Sequence, residues 1–384
     1  MTSKFLIPAL VLLVIPVQAA ALDLGTIEVE GSINAVGQRI NAEGSADGSS
    51  QSRLSYRGDL GISLPLGSMA GGDGQLVTQL RFGQGEGVTT VPTRTGAVNS
   101  LAFQADEQSS NTVAILSQIY YQWQSDDQRR NRYSLVVGKL DPFGFFDQNA
   151  VADDESESFL NNVFVHNPLL DSGGDIGADE YGFTPGLVAS WNRYDDAGSR
   201  FGGSFGVFGV EGGADFKGSP GRALSIVQLE FGPRAGTDES LGTWRLYAWH
   251  NPQSSDPAGS PEPHSGWGIS ADQKLTNWMT AFGRYGKGAQ GSRAFDSALT
   301  VGLELNGIIW SRAEDRAGLA LGRLFGDSTA NASGGDESVT EVFYRAVLSP
   351  AISITPHWQT IRTPDGDRAA KGVQVIGVRA KISF

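Results

Sequence analysis

Residues 373-VQVIGVRAKISF-384 decide the fold. In an extended chain Ile376, Val378, Ala380, Ile382 and Phe384 share one face, with Gln374 as its polar exception. Gly377, Arg379, Lys381 and Ser383 share the other. A helix would scatter these residues around its axis; the two-residue period of a strand separates them. Basic side chains inside a good strand are costly in a soluble core but natural on a face that lines water.

The same two-faced pattern recurs upstream. Leu54, Tyr56, Leu60 and Ile62 oppose Arg53, Ser55, Arg57 and Asp59. Leu76, Leu80 and Phe82 oppose Gln75, Gln79 and Arg81. Leu299, Val301, Leu303 and Leu305 oppose Thr300, Gly302, Glu304 and Asn306. The pattern predicts about sixteen strands, an even number as bacterial single-chain barrels have. They fall near 27–37, 53–64, 75–83, 115–123, 133–140, 183–193, 201–209, 224–231, 242–249, 266–274, 277–286, 298–305, 317–324, 339–348, 350–358 and 372–384. Every second connection between them is long: 38–52, 84–114, 141–182, 210–223, 250–265, 287–297, 325–338 and 359–371. Short turns at one end and long loops at the other are the habit of transmembrane antiparallel β-barrels. Three turns, 65–74, 232–241 and 306–316, are long for the short end. Trp191, Trp244, Trp249, Trp267 and Trp358 lie near strand ends and are expected in the aromatic girdles.

The first residues, MTSKFLIPALVLLVIPVQAAALDLG, have a basic Lys4, a short apolar run and small residues at Ala19–Ala21. That layout predicts a secretory signal peptide over 1–21, cleaved after Ala19 or Ala21, with the barrel over 22–384. The chain has 384 residues, no cysteine and a formal charge of −13. It therefore has no disulfides, and its charge argues against nucleic acid as a partner. There are four histidines, His166, His250, His264 and His357, and no catalytic motif or EF-hand spacing. Neither an enzyme nor a cofactor or metal is expected. An outer-membrane hydrolase is the minor alternative, with His250 and His264 flanking a loop that holds Asp256 and Glu262.

Two segments go beyond general barrel character: 137-VGKLDPFGFFDQNAVADDESESFLNNVFVHNP-168, and 341-EVFYRAVLSPAISITPHWQTIRTP-364 with 375-VIGVRAKISF-384. Together they resemble the carbohydrate-selective porins of the OprB type, which carry similar runs in the same order. The stretch 266-GWGISADQKLTNWMTAFGRYG-286 fits the same family. The resemblance implies a sixteen-stranded outer-membrane barrel passing small sugars. An anion-selective or general porin is the alternative. Lipid and lipopolysaccharide would surround such a barrel, as monomer or trimer, after insertion by the barrel-assembly machinery. Phe384 matches the terminal aromatic such proteins present for assembly.

The loop 141–182 is the third and longest of the long set. By analogy with large porins it is expected to fold inward and narrow the lumen. Its Phe143, Phe145, Phe146, Phe159 and Phe164 suit a wall, while Asp147, Asn149, Asp153, Asp154 and Glu155 suit a water path. A short helix over 153–160 that merely caps the barrel is the competing reading. Arg57, Arg81, Arg245, Arg284, Glu304, Glu341, Arg345 and Arg379 sit on the polar faces of strands and are the other expected pore-lining residues.

Overall fold

The computed structural model describes residues 22–23, 27–41, 50–88, 91, 93–94, 97–103, 111–125, 130–171, 182–210, 222–234, 240–326 and 335–384. The expected signal peptide over 1–21 lies outside the described residues.

Sixteen antiparallel strands close into a barrel. The first eight are β1 (Glu28–Ile40), β2 (Ser52–Met69), β3 (Gly72–Gln84), β4 (Val113–Ser125), β5 (Asn131–Leu140), β6 (Thr184–Tyr194), β7 (Arg200–Phe208) and β8 (Leu224–Gly232). The second eight are β9 (Gly242–Asn251), β10 (His264–Lys274), β11 (Met279–Gln290), β12 (Phe295–Asn306), β13 (Arg316–Gly326), β14 (Glu337–Ser349), β15 (Ile352–Arg362) and β16 (Val373–Ser383). Each pairs with its neighbours in the chain, and β16 returns to β1 in a ladder from Val375↔Ile40 to Ser383↔Ser32. A further two-residue strand, Leu22–Asp23, pairs with β1.

Each expected strand is present. The long turn expected at 65–74 is not: β2 and β3 run on into it, leaving Ala70 and Gly71, both left-handed (φ 54° and 74°), as the connection. Both faces of the strand meet water there, so the alternation that marks a strand fades before the strand ends. The turn at 306–316 is long. Asn306 caps a 3₁₀ turn, Gly307–Trp310, by accepting from Ile308 N at 3.2 Å.

The outer face is apolar. Leu299, Val301 and Leu303 of β12 and Leu319 and Leu321 of β13 are 36–50% exposed, whereas Thr300 between them is fully buried. An apolar belt of that kind is stable only against lipid. Trp191, Trp244, Trp267 and Trp358 are on it, but Trp249 is not: it is 3% exposed and turned inward with Tyr247. β-Propensity alone accounts for its place in the strand.

Glycines inside strands accommodate rings from the next strand. The cross-strand pairs Gly58↔Phe82, Gly186↔Phe208, Gly266↔Trp249, Gly268↔Tyr247, Gly302↔Phe282 and Gly318↔Phe343 each place an aromatic ring where a Cβ would stand. The closing seam uses the same device. Gly31 N donates to Phe384 O, and Phe384 N to Gly31 O, both at 2.9 Å. The Phe384 ring lies over Gly31, where an added Cβ would come within 2.5 Å of it.

Overpacking of this sort costs about 1–3 kcal/mol. Gly31→Val is therefore expected to lower the temperature at which the barrel loses its compact gel mobility, while Gly37→Val, on the same strand where a Cβ meets only Leu54 at 3.9 Å, changes it less. Equal effects of the two would refute a role for the ring at the seam.

Candidate functional site

The segment 141–171 leaves the end of β5 and packs against inward-facing side chains around the barrel. Asp141 starts it, its carboxylate accepting from Phe143 N at 2.9 Å and capping the 3₁₀ turn Pro142–Gly144. The chain then reverses at Asp147, a left-handed residue (φ 60°) that is fully buried. Three strands hold it. Its carboxylate accepts from Tyr247 Oη of β9 at 2.6 Å and Arg284 Nε of β11 at 3.1 Å, and its N–H donates to Gln228 of β8 at 3.0 Å. Asn167 N, from further along the loop, also donates to it at 2.6 Å.

Arg284 is the hub of this arrangement. Its guanidinium, 1% exposed, donates to the Asp147 carboxylate, to the carbonyls of Asp147 (3.1 Å), Phe164 (2.7 Å) and Ala152, and to Asp153 at 3.4 Å. Other strands repeat the device. Asn149 donates to Ser270 Oγ at 3.2 Å and Ala271 O at 3.1 Å on β10. Glu341 of β14 accepts from Leu160 N at 2.9 Å and Asn161 N at 2.8 Å. Arg379 of β16 donates to Glu155 O at 2.6 Å and Ser158 O at 2.9 Å. Arg345 and Lys381 both pair with Glu157. Phe146, Phe159, Val163 and Phe164 fill the space between, against Phe208, Phe282 and Phe343 of the wall. The one short helix of the segment, α1 (Asn162–Val165), is capped by Asn161. It lies beyond 153–160, which forms turns instead, because Asp154 and Ser158 are tied by local turn bonds.

A second loop joins the first, and this the sequence reading missed. Val98 O accepts from Gln38 of β1 at 3.0 Å and Gln359 of β15 at 2.9 Å. Asn162 N donates to Ala97 O, and Ser100 N to Leu160 O, so the two loops are bonded to each other. Leu101, 1% exposed, clusters with Val36 and Leu160. The available signal was the apolar Val88, Val91, Val98, Leu101 and Phe103 within a connection that solvent alone would not require.

The filling is one-sided. A cavity of about 1040 Å³ remains between the loops and the wall of β16 and β1 to β4. Arg57, Arg81, Asp153, Asp154 and Glu155 border it, together with Glu30, Asp59, Gln79, Gln118, Tyr120, Asp141, Phe143, His166, Asp171, Phe183 and Lys381. Asp147, Asn149, Arg245, Arg284, Glu341 and Arg379 do not. All six are at most 8% exposed and lie between loop and wall, with Arg245 paired to Asp272 at 3.1 Å. Strand parity points Arg245, Arg284, Glu341 and Arg379 inward, but a buried loop rather than water meets them there, and Asp147 and Asn149 belong to that loop. Glu304, 3.6 Å from Arg316, and Arg345 lie away from this cavity as well.

Charges at the cavity edge are closely coupled. Arg57 bonds Glu155 at 2.6 Å and Asp59 at 3.0 Å, and Arg81 bonds Asp59 at 2.6 Å. Burial raises the Glu155 carboxyl, but Arg57 and Arg81 outweigh it and hold it below its usual value. Burial raises the Asp153 carboxyl well above the ordinary range, against the pull of Arg284. His166 is stacked on Phe143, centroids 3.8 Å apart, and burial pushes it down to about 3, so it is neutral. Of the other histidines, His250 bonds Ser265 at 2.8 Å, His264 bonds Ser254 at 3.1 Å and His357 lies 3.5 Å from Glu341.

A closed antiparallel barrel, apolar outside, charged inside and narrowed by its own loops, defines an outer-membrane porin. The family model for carbohydrate-selective porins, OprB family, matches residues 51–384, and the chain belongs to that family. Its fold is similar to the high-pH structure of Pseudomonas putida OprB, at a TM-score of 0.74 and 17% identity over 94% of each chain. It is also similar to an anion-selective porin from Comamonas acidovorans, at a TM-score of 0.59 and 10% identity over 93% of this chain and 99% of that one. A protein of Aquifex aeolicus is 26% identical over 231 residues, 60% of this chain and 60% of the relative's own length.

Removing the Arg284 guanidinium leaves Asp147 buried without its cation, a loss on the order of 3–5 kcal/mol. Arg284→Met is expected to leave the barrel folded but free the loop, giving larger and noisier single-channel currents in planar bilayers. Currents matching the wild type in size and noise would contradict the anchoring role.

Proposed function

We propose that this chain is a passive channel for small uncharged hydrophilic solutes, with sugars of glucose size as its natural cargo. The observation that carries the reading is the one-sided cavity, where loop 141–171 faces the wall of β1 to β4. Gln79, Asn99, Ser100, Gln118 and Tyr120 border it with donors and acceptors that can exchange for a sugar's water. Binding to such groups is weak and spread over several positions, which lets solute leave as well as enter. In this reading 141–171 is the constriction, and Arg57, Arg81, Asp153, Asp154 and Glu155 flank the path. Asp147, Asn149, Arg284, Glu341, Arg345 and Arg379 hold it in place, Arg245 backs it through Asp272, and Glu304 acts outside it.

The reading extends to assembly. Residues 1–21 direct secretion and are removed after Ala19 or Ala21. Phe384 is presented to the barrel-assembly machinery, and lipid and lipopolysaccharide then surround the outer face, of a monomer or of each member of a trimer. Deleting Phe384 should leave secretion intact and reduce the heat-modifiable, folded form in outer-membrane fractions. An unchanged folded yield speaks against the assembly role.

An anion-selective pore is the second reading, and the arginines beside the cavity favour it. A pore built for anions shows an unopposed ring of one sign. Here Arg57 and Arg81 are each paired with a carboxylate. Glucose-sized neutral sugars are therefore expected to enter proteoliposomes faster than phosphate or a dicarboxylate, and millimolar sugar to reduce the ion current partially. Block by phosphate or a dicarboxylate at lower concentration than by any sugar would replace the carbohydrate reading with the anion one.

A further inference from the structure

The charges around the cavity do not balance. Eight carboxylates border it against three cations, Arg57, Arg81 and Lys381, and two more cations outside the lining, Arg284 and Arg53, reach Asp153 and Glu86. All three cations are already engaged: Arg57 with Asp59 and Glu155, Arg81 with Asp59, and Lys381 with Glu157. Asp141 and Asp171, on the loop side, have no cation within ion-pair distance among the described residues. The Asp141 carboxylate accepts from the backbone N–H of Phe143 at 2.9 Å, and that of Asp171 from Asn162 Nδ2 at 2.6 Å. Residues 172–181, which follow Asp171, contain no lysine or arginine and three more carboxylates, Asp175, Asp179 and Glu180. The charged groups that act on Asp141 include Arg81, Glu155 and Arg57, and Asp141 is coupled in turn to Asp153 and Asp171. Those acting on Asp171 are Asp141, Asp147 and Glu155, all acidic.

We propose that Asp141 and Asp171 make the channel discriminate by charge, so that an amino sugar passes ahead of a neutral hexose of its size and a sugar acid passes last. The inference rests on the sugar-channel reading and adds the rule of choice within it. No ion has to be held at either residue. A solute in a narrow lumen walled by protein feels an uncompensated charge more strongly than it would in open water. Paired arginines contribute little to that field, because each faces a carboxylate at hydrogen-bonding distance.

The preference depends on pH in a definite sense. Burial pushes the carboxyls of Asp141 and Asp171 up to about 6 each. Above that value both carry charge and the preference is full. As pH falls through it they take up protons while the arginines keep theirs, so the acidic excess shrinks and the preference fades.

The test uses the full barrel in proteoliposomes and planar bilayers, with glucosamine, glucose and gluconate as probes and the potassium chloride reversal potential as a second reading. The double variant Asp141→Asn with Asp171→Asn, and Asp171→Asn alone because Asp141 caps a turn, are checked for folding by heat-modifiable mobility. At about pH 7 the double variant should lower the glucosamine-to-gluconate ratio and the cation-to-anion permeability ratio by about threefold, and the single variant by less. The wild type should lose the same preference between about pH 7 and about pH 4.5, and the double variant should lose clearly less over that range, because only the remaining carboxylates titrate there. Wild-type barrels that pass glucose but rank the three probes equally overturn the charge rule alone, as does a wild-type preference that is flat with pH or survives in the folded double variant. Wild-type barrels that pass no glucose overturn the channel reading and this inference with it.

Discussion

A strand in hydrocarbon has no water to pair its N–H and C=O groups, and everything else in this protein follows from that. The groups must be paired by neighbouring strands, and a sheet leaves no unpaired edge only by closing. Here the closure is the ladder of β16 on β1, finished by two hydrogen bonds between Gly31 and Phe384. Once the sheet is closed its two faces lie in different solvents. The leucines and valines of alternate positions face lipid, and the residues between them face inward whatever their charge.

Closure also creates an interior that a small-residue core could not fill. A barrel of sixteen strands is wide enough to leave a lumen. This chain fills most of it with two of its own long loops. Loop backbone buried in that way must be paired, and the wall supplies the partners: Arg284, Arg379, Glu341, Gln228, Gln38 and Gln359 all bond loop backbone. The arginines that look like filter residues in one dimension are in large part fasteners. What remains open is the one-sided cavity, with its shape set by where those fasteners stop.

Family membership and fold agree on a channel, yet the fold is shared with an anion-selective porin at 10% identity. The barrel fold alone therefore does not set a solute. Around this cavity the arginines are neutralised pairwise, while Asp141 and Asp171 of the loop make no ion pair with a described cation, a difference that the scaffold neither requires nor forbids.

The barrel was legible in the sequence because its signal is local. Whether Ile376 and Arg379 point to opposite faces depends only on the two-residue period of the chain around them, and the alternation of long and short connections follows in order along the chain. The apolar phenylalanines of 141–171 likewise announced a loop with something to pack against. Which inward residues meet water was not legible. Arg284 and Asp147 lie 137 positions apart, and nothing near either one records that they meet. The inward fold of the second loop, the one-sided cavity and the lack of a described cation within ion-pair distance of Asp141 and Asp171 were decided the same way. They depend on long-range contacts that exist only once the barrel has closed around its loops.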